Sequence, residues 1–202
     1  MIEMIKSEAR LADCVKKDYE KPWLEDEGIC VEIDASLQEN EYAAVKVDDY
    51  YNGLNLGGLT PKSVDFLVAV DCQCDSYALY IMEFRNRDNP RRLEIRDVQE
   101  KFSNTFRLFM EDTFAFIFCN DRFKYKPIQL YLVSDPYGIK EKHPEIQHYA
   151  EYQQIVRKRM ARKDTTNLDV SASLASRLYR FRGQILKIEL ELPPNPLIRR
   201  VT

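Results

Sequence analysis

The sequence is poor in the residues and motifs from which many enzymes build their sites. It holds two histidines, one tryptophan and six glycines. No GxxxxGK(S/T), GxGxxG or GxSxG pattern occurs, which removes the usual nucleotide cradles and the hydrolase nucleophile elbow. Cys72 and Cys74 are one residue apart, so no CxxC opens a zinc site. The five cysteines are an odd number, and the N-terminal stretch is interrupted by Glu3 and Glu8. Both features argue against a secretory signal and for reduced thiols in a cytoplasmic protein. No apolar run approaches the ~20 residues of a membrane span, so no membrane partner is expected. A net charge of −3 excludes a polybasic coating protein but leaves a nucleic-acid enzyme open. His143 and His148 flank Pro144 in a polar stretch, where surface loop positions are a simpler reading than a general base.

What is present suits one domain over residues 1–202. With 45% apolar and 11% aromatic residues the chain can bury a full core. Charge is unevenly spread. Glu25, Asp26, Glu27, Glu32, Asp34, Glu39, Glu41, Asp48 and Asp49 make the early region acidic, whereas 85–96 and 157–163 are rich in arginine and lysine. Apolar spacing predicts a helix over 3–20, strands over 29–34 and 42–50, and a glycine-rich loop over 52–61. Strands at 63–71 and 77–85 follow, joined as a hairpin by the short CQCDS link. Val98, Phe102, Phe106, Phe109 and Met110 then fall at helical spacing, predicting a long helix over 94–118. A nearly continuous apolar strand at 127–134 reads as central. Helices over 147–163 and 171–182, the latter capped by Gly183, and an alternating strand over 184–192 complete the chain. A hairpin, a crossover helix and a further strand imply an α/β fold with a mixed central sheet flanked by helices.

The position that ordinary burial does not explain is Glu83, inside the most apolar strand, Tyr80-Ile81-Met82-Glu83-Phe84. A charged group there needs a partner or a metal. Glu83 and Arg85 share one face of that strand, and Asp65 lies near the start of its neighbour. Two carboxylates on adjacent strands can converge as hard oxygen ligands for Mg²⁺, with a cation beside them to offset charge on a phosphate. A structural ion pair between Glu83 and Arg85 accounts for the same residues, as in a protein-interaction module.

Pro61, Asp65 and the run Ile81-Met82-Glu83-Phe84-Arg85 resemble the motif of the PD-(D/E)xK nuclease superfamily, the restriction-endonuclease-like fold. The resemblance covers about residues 1–134, leaving 135–202 as a C-terminal extension of helices and a strand packed on that core. It implies a divalent-metal-dependent endonuclease that hydrolyses phosphodiester bonds in DNA. Asp65 and Glu83 would bind Mg²⁺, or Mn²⁺ in its place, with the backbone carbonyl of Phe84 as a further ligand. Glu8 stands for the acidic residue that such enzymes often supply from the first helix. Proline stands four residues before Asp65 rather than beside it, and Arg85 stands where the family has lysine. Arginine stays protonated, so it cannot take a proton from water. Lys101, on the following helix, is the candidate to replace that lysine. A fold that kept nucleic-acid binding or assembly and lost catalysis is the alternative that Arg85 motivates.

The basic stretches fit a nucleic-acid partner. Arg87, Arg91, Arg92 and Arg96 leave the candidate site directly and can grip phosphates on either side of a scissile bond. Arg157, Lys158 and Arg159 can do so by counterion release. A solvated helix or loop face is the alternative reading of each run and the simpler one for 157–163. A cut through both strands of a duplex would call for a homodimer, although no coiled-coil or other interface pattern is visible.

Overall fold

The structure, a computed structural model, describes residues 1–54, 57–58, 60–86, 93–138, 146, 151, 154–155 and 170–201. In chain order the elements are helix α1 (Ile2–Ser7), strands β1 (Trp23–Asp26), β2 (Ile29–Glu32) and β3 (Tyr42–Lys46), and helix α2 (Val47–Gly53). Strands β4 (Phe66–Asp71) and β5 (Ser76–Phe84) are followed by helices α3 (Ile95–Asn104) and α4 (Ala115–Phe118). Strand β6 (Lys124–Val133), helix α5 (Val170–Ala175), and strands β7 (Leu178–Phe181) and β8 (Gln184–Glu191) close the chain.

Six strands form one mixed sheet in the order β3-β4-β5-β6-β8-β7, and β1-β2 forms a separate hairpin. The first three strands of that order meander antiparallel. β6 returns parallel to β5 after the crossover through α3 and α4, and β8 lies parallel to β6. β4, β5 and the second half of β6 are buried on both faces, which is why they read as almost unbroken apolar runs, whereas β8 alternates buried and exposed positions. Leu67, Ala69, Leu79, Ile81, Leu130 and Leu132 face the helices, where Phe102, Phe109, Phe114 and Phe118 pack. Phe66, Val68, Tyr80, Met82, Phe84 and Val133 face the other way, against Leu24, Val31 and Ile198. The fully buried Phe102 and Phe109 each contribute about 2–3 kcal/mol by leaving water, and they hold α3 and the π-wound turns after it down on the sheet.

The hairpin, the long helix, the central strand and the alternating last strand agree with the sequence reading. Four elements differ. The helix expected over 3–20 ends at Ser7, because Glu8 is extended (φ −70°, ψ 111°) and its carboxylate accepts from the amide of Arg10 at 3.2 Å. The chain then crosses to the sheet edge, where the Lys16 amide donates to the Ala44 carbonyl at 2.9 Å and Lys46 to Cys14 at 2.8 Å. That contact covers the open edge of β3. The strand expected over 42–50 stops at Lys46, and Val47, Tyr50 and Tyr51 turn inward from a helix instead. The helix expected over 171–182 is six residues long and gives way to β7. Gly183, with φ +78° next to Arg182 at φ +49°, makes a tight β7–β8 turn rather than a helix cap. β1 was not expected at all. It pairs with β2 through Glu27 and Gly28, both with positive φ (+48° and +74°). Of the helix expected over 147–163 only residues 151 and 154–155 are described, and they are helical; the two histidines lie outside the described residues.

A carboxylate and lysine cluster at the end of the central hairpin

Asp65 sits one residue before β4, and the β4–β5 register, with Phe66 opposite Met82, sets it across from Glu83. Both are buried, Glu83 completely. The amide of Phe84 donates to Asp65 Oδ2 at 2.6 Å, which fixes that carboxylate against the end of β5. Phe84 thus contributes its amide; its carbonyl keeps only the role the resemblance implies.

Helix α3 brings the cation. Lys101 Nζ donates to Glu83 Oε1 at 2.8 Å and lies 3.8 Å from Asp65 Oδ1. The helix is pinned to the segment before β4 by the fully buried Thr105. Its hydroxyl donates to the Lys101 carbonyl at 2.9 Å and accepts the Val64 amide at 3.2 Å. From Thr105 the helix widens into a π winding through Thr113, a form that often accompanies functional sites. Lys62 adds ion pairs to Asp97 (2.9 Å) and Glu100 (3.1 Å) on the same helix.

Arg85 occupies the position two residues after Glu83 and is paired on several sides. Its guanidinium lies 2.8 Å from Glu83 Oε1, 3.1 Å from Asp97 and 3.6 Å from Glu27. Burial opposes ionisation of Asp97, yet Lys62 and Arg85 together hold its carboxyl below the ordinary range.

Two further carboxylates arrive from elements that the sequence reading did not connect to the site. The Val47 amide donates to the Asp65 carbonyl at 2.9 Å, so the next residue, Asp48, enters beside Asp65 from the first turn of α2. Asp26 enters from the end of β1, because the Glu27–Gly28 turn leans on β5, with Asn86 Nδ2 donating to the Glu27 carbonyl at 3.1 Å. One oxygen each of Asp26, Asp48 and Asp65 lie within 4.8 Å of one another. Lys46 Nζ stands 3.6 Å from Asp26 Oδ1 and the same distance from Asp49. The sequence signal for Asp26 was the Glu27-Gly28 pair after Trp23-Leu24, a hairpin turn embedded in an acidic run. For Asp48 there was no comparable signal, since helix α2 hides inside a strand-like pattern.

Burial, and after it crowding of negative charge, marks the protonation equilibria. Burial, opposed by Lys101 and the Phe84 amide, pushes Asp65 up to about 6. Burial and then the Asp65 carboxylate push Glu83 up to about 8, against Lys101 and Arg85. Burial also raises Asp48. Among the described residues, Glu83 Oε2 and Asp48 Oδ1 are buried with no hydrogen-bond partner. Unpartnered buried carboxylate oxygens next to other carboxylates are a donor set that fits a hard divalent cation.

Of the other sequence candidates, Glu8 is engaged by Arg10 at 2.8 Å and is not among the clustered carboxylates. Arg96 is exposed on the first turn of α3. Arg87, Arg91, Arg92, Arg157, Lys158 and Arg159 lie outside the described residues. Among the described residues no helix is long and apolar enough to cross a membrane. Compared with protein-family models, curated proteins and solved structures, the chain matches none.

Proposed function

We propose that this protein is a divalent-metal-dependent nuclease of the restriction-endonuclease-like kind, hydrolysing phosphodiester bonds in DNA. The observation that carries the reading is the buried pair Asp65 and Glu83, set across from each other with Lys101 Nζ between them. The strand order supports it: an antiparallel meander, a crossover helix and a parallel strand are the arrangement the sequence resemblance implies.

Asp26, Asp48 and Asp65, whose oxygens converge, are the residues that would hold Mg²⁺ or Mn²⁺, with Glu83, outside that triad but across from Asp65, offering its unpartnered Oε2. When bound, such an ion offsets charge on the phosphate and lowers the pKa of an attacking water. Lys101 occupies the place from which an ammonium group can orient that water and donate to a phosphate oxygen. Arg85 keeps its charge and cannot act as a base. Its part is to hold Glu83 in place and to meet the phosphate. All five cysteines are free thiols, as suits a reducing, cytoplasmic setting.

The two ion pairs of Glu83 also favour a second reading, in which the fold binds nucleic acid or assembles with partners without cutting. One experiment separates the two. Purified protein is incubated with single-stranded and duplex DNA in Mg²⁺, Mn²⁺ or EDTA, with Glu83→Ala in parallel. Cleavage that needs the metal and disappears in the variant is expected. DNA binding without cleavage in any metal would transfer support to the second reading, and cleavage unaffected by Glu83→Ala would overturn the site.

A further inference from the structure

A groove of about 270 Å³ opens beside the carboxylate cluster. Trp23 of β1 and Phe66 of β4 line it, together with Lys16 and Lys46 and the carboxylates Asp13, Glu25 and Asp49. Lys46 joins the two places, because its ammonium group reaches Asp26 of the cluster at 3.6 Å while its side chain walls the groove. Phe66 directly follows Asp65, and Trp23 stands three residues before Asp26 on the same strand. The groove and the cluster are therefore held in fixed relation by β1, β3 and β4.

Its chemistry is that of a base site. The volume falls below the roughly 300–1,000 Å³ of pockets for larger ligands, so it suits a single planar group. The half-buried indole of Trp23 offers a face on which any base can stack. Lys16 and Lys46 face the carboxylates Asp13, Glu25 and Asp49 there, with Lys46 paired to Asp49, so the lining favours the amino edge of a base, for which Asp13 and Glu25 are acceptors, over its phosphate. A base still paired in a duplex cannot enter such a space without leaving its stack.

We infer that this groove receives one unpaired nucleobase, stacked on Trp23, from the strand that the carboxylate site cleaves. The inference rests on the nuclease reading and adds a substrate class to it: single-stranded or locally unpaired nucleic acid.

Trp23 is the one tryptophan in the chain, so its emission reports this groove alone. Wild-type protein is titrated in EDTA with a short single-stranded DNA, the matching RNA and a blunt duplex. Quenching by either single strand and not by the duplex is expected. In fluorescence anisotropy with a labelled single strand, Trp23→Leu should weaken binding by about 5- to 100-fold, whereas Trp23→Phe, which keeps a stackable ring, retains most of it. Unchanged emission, equal quenching by the duplex, or wild-type affinity in Trp23→Leu overturns the inference. If those results come with metal-dependent cleavage, the nuclease reading stands without the base site. Quenching with no cleavage in any metal has the opposite meaning: the groove binds a base and the nuclease reading fails.

Discussion

Glu83 and Glu191 lie on strands β5 and β8 of the same sheet, separated by β6, and the fold pushes both upward, to about 8 and about 7. In each case burial is the main cause and a neighbouring carboxylate, Asp65 or Glu189, the next. Their surroundings then diverge. Glu83 meets Lys101 from α3, Arg85 from just past the end of its own strand and Asp65 from just before β4. Glu191 borders a cavity of about 330 Å³ with Ser171, Ala175 and Lys187, and has no ion pair among the described residues. Burial alone raises a carboxyl anywhere in a sheet. A candidate site emerges where separate segments deliver both further carboxylates and the cations that keep them together.

The sharpest way to break this comparison is catalytic. Under the proposed nuclease reading, Glu83→Ala should lower metal-dependent cleavage by at least about 100-fold, the loss expected on removing a group that would hold the metal. Glu191→Gln should leave the rate within about twofold, since Glu191 touches none of the clustered residues. Equal losses in the two variants, measured as single-turnover rates, would mean that the site extends across the sheet.

Stability comes next in size. Below pH 8, where Glu83 keeps its proton, Glu83→Ala removes the acceptor that Lys101 and Arg85 share and leaves a small buried cavity, and should cost about 2 kcal/mol in urea unfolding without metal. Glu191→Gln should move the other way. A carboxyl whose pKa is raised by folding binds its proton more tightly in the folded state, so it lowers stability increasingly as pH climbs from the unfolded value toward about 7. Removing it should raise Tm at pH 8 and change little near pH 4.5, as read from thermal melts. A gain confined to low pH would contradict the shift.

Metal binding should separate the two glutamates by pH. Glu83 must lose its proton before it can act as a ligand, so stabilisation by Mg²⁺ should grow between pH 6 and pH 8 and then level off. The same curve is expected for Glu191→Gln, and a flat one for Glu83→Ala. Melting curves with and without Mg²⁺ across that range provide the check. The smallest expected effect is at Thr105. Thr105→Val removes the acceptor of the Val64 amide, should cost about 1 kcal/mol, and should slow cleavage by loosening Lys101 against Asp65.

Asp65 and Glu83 were legible in the sequence because each breaks a local pattern; Arg85 entered as the residue sharing Glu83's strand face, and Lys101 only through the resemblance. A glutamate in the most apolar strand and an aspartate at the start of its neighbour need explaining, and a lysine on the following helix can reach them. Asp26 and Asp48 were not, for they look like two among many acidic residues in an acidic region. Their membership depends on a hairpin tip resting on β5 and on a helix that begins where strand character was expected to continue. The same contrast runs through the fold. Long apolar periods announced β4, β5, β6 and the helix after them, whereas the segments at 8–20, 47–53 and 176–182 carry short, ambiguous patterns that their neighbours resolve.

Period and burial therefore belong to the chain itself: alternation of two faces sets the sheet's interior, and spacing of phenylalanines sets the helix laid on it. Strand order, the covering of the β3 edge and the gathering of carboxylates from β1, α2, β4 and β5 arise only on folding. Those contacts join residues far apart in sequence, and no local spacing encodes which distant oxygen will meet which when the sheet closes.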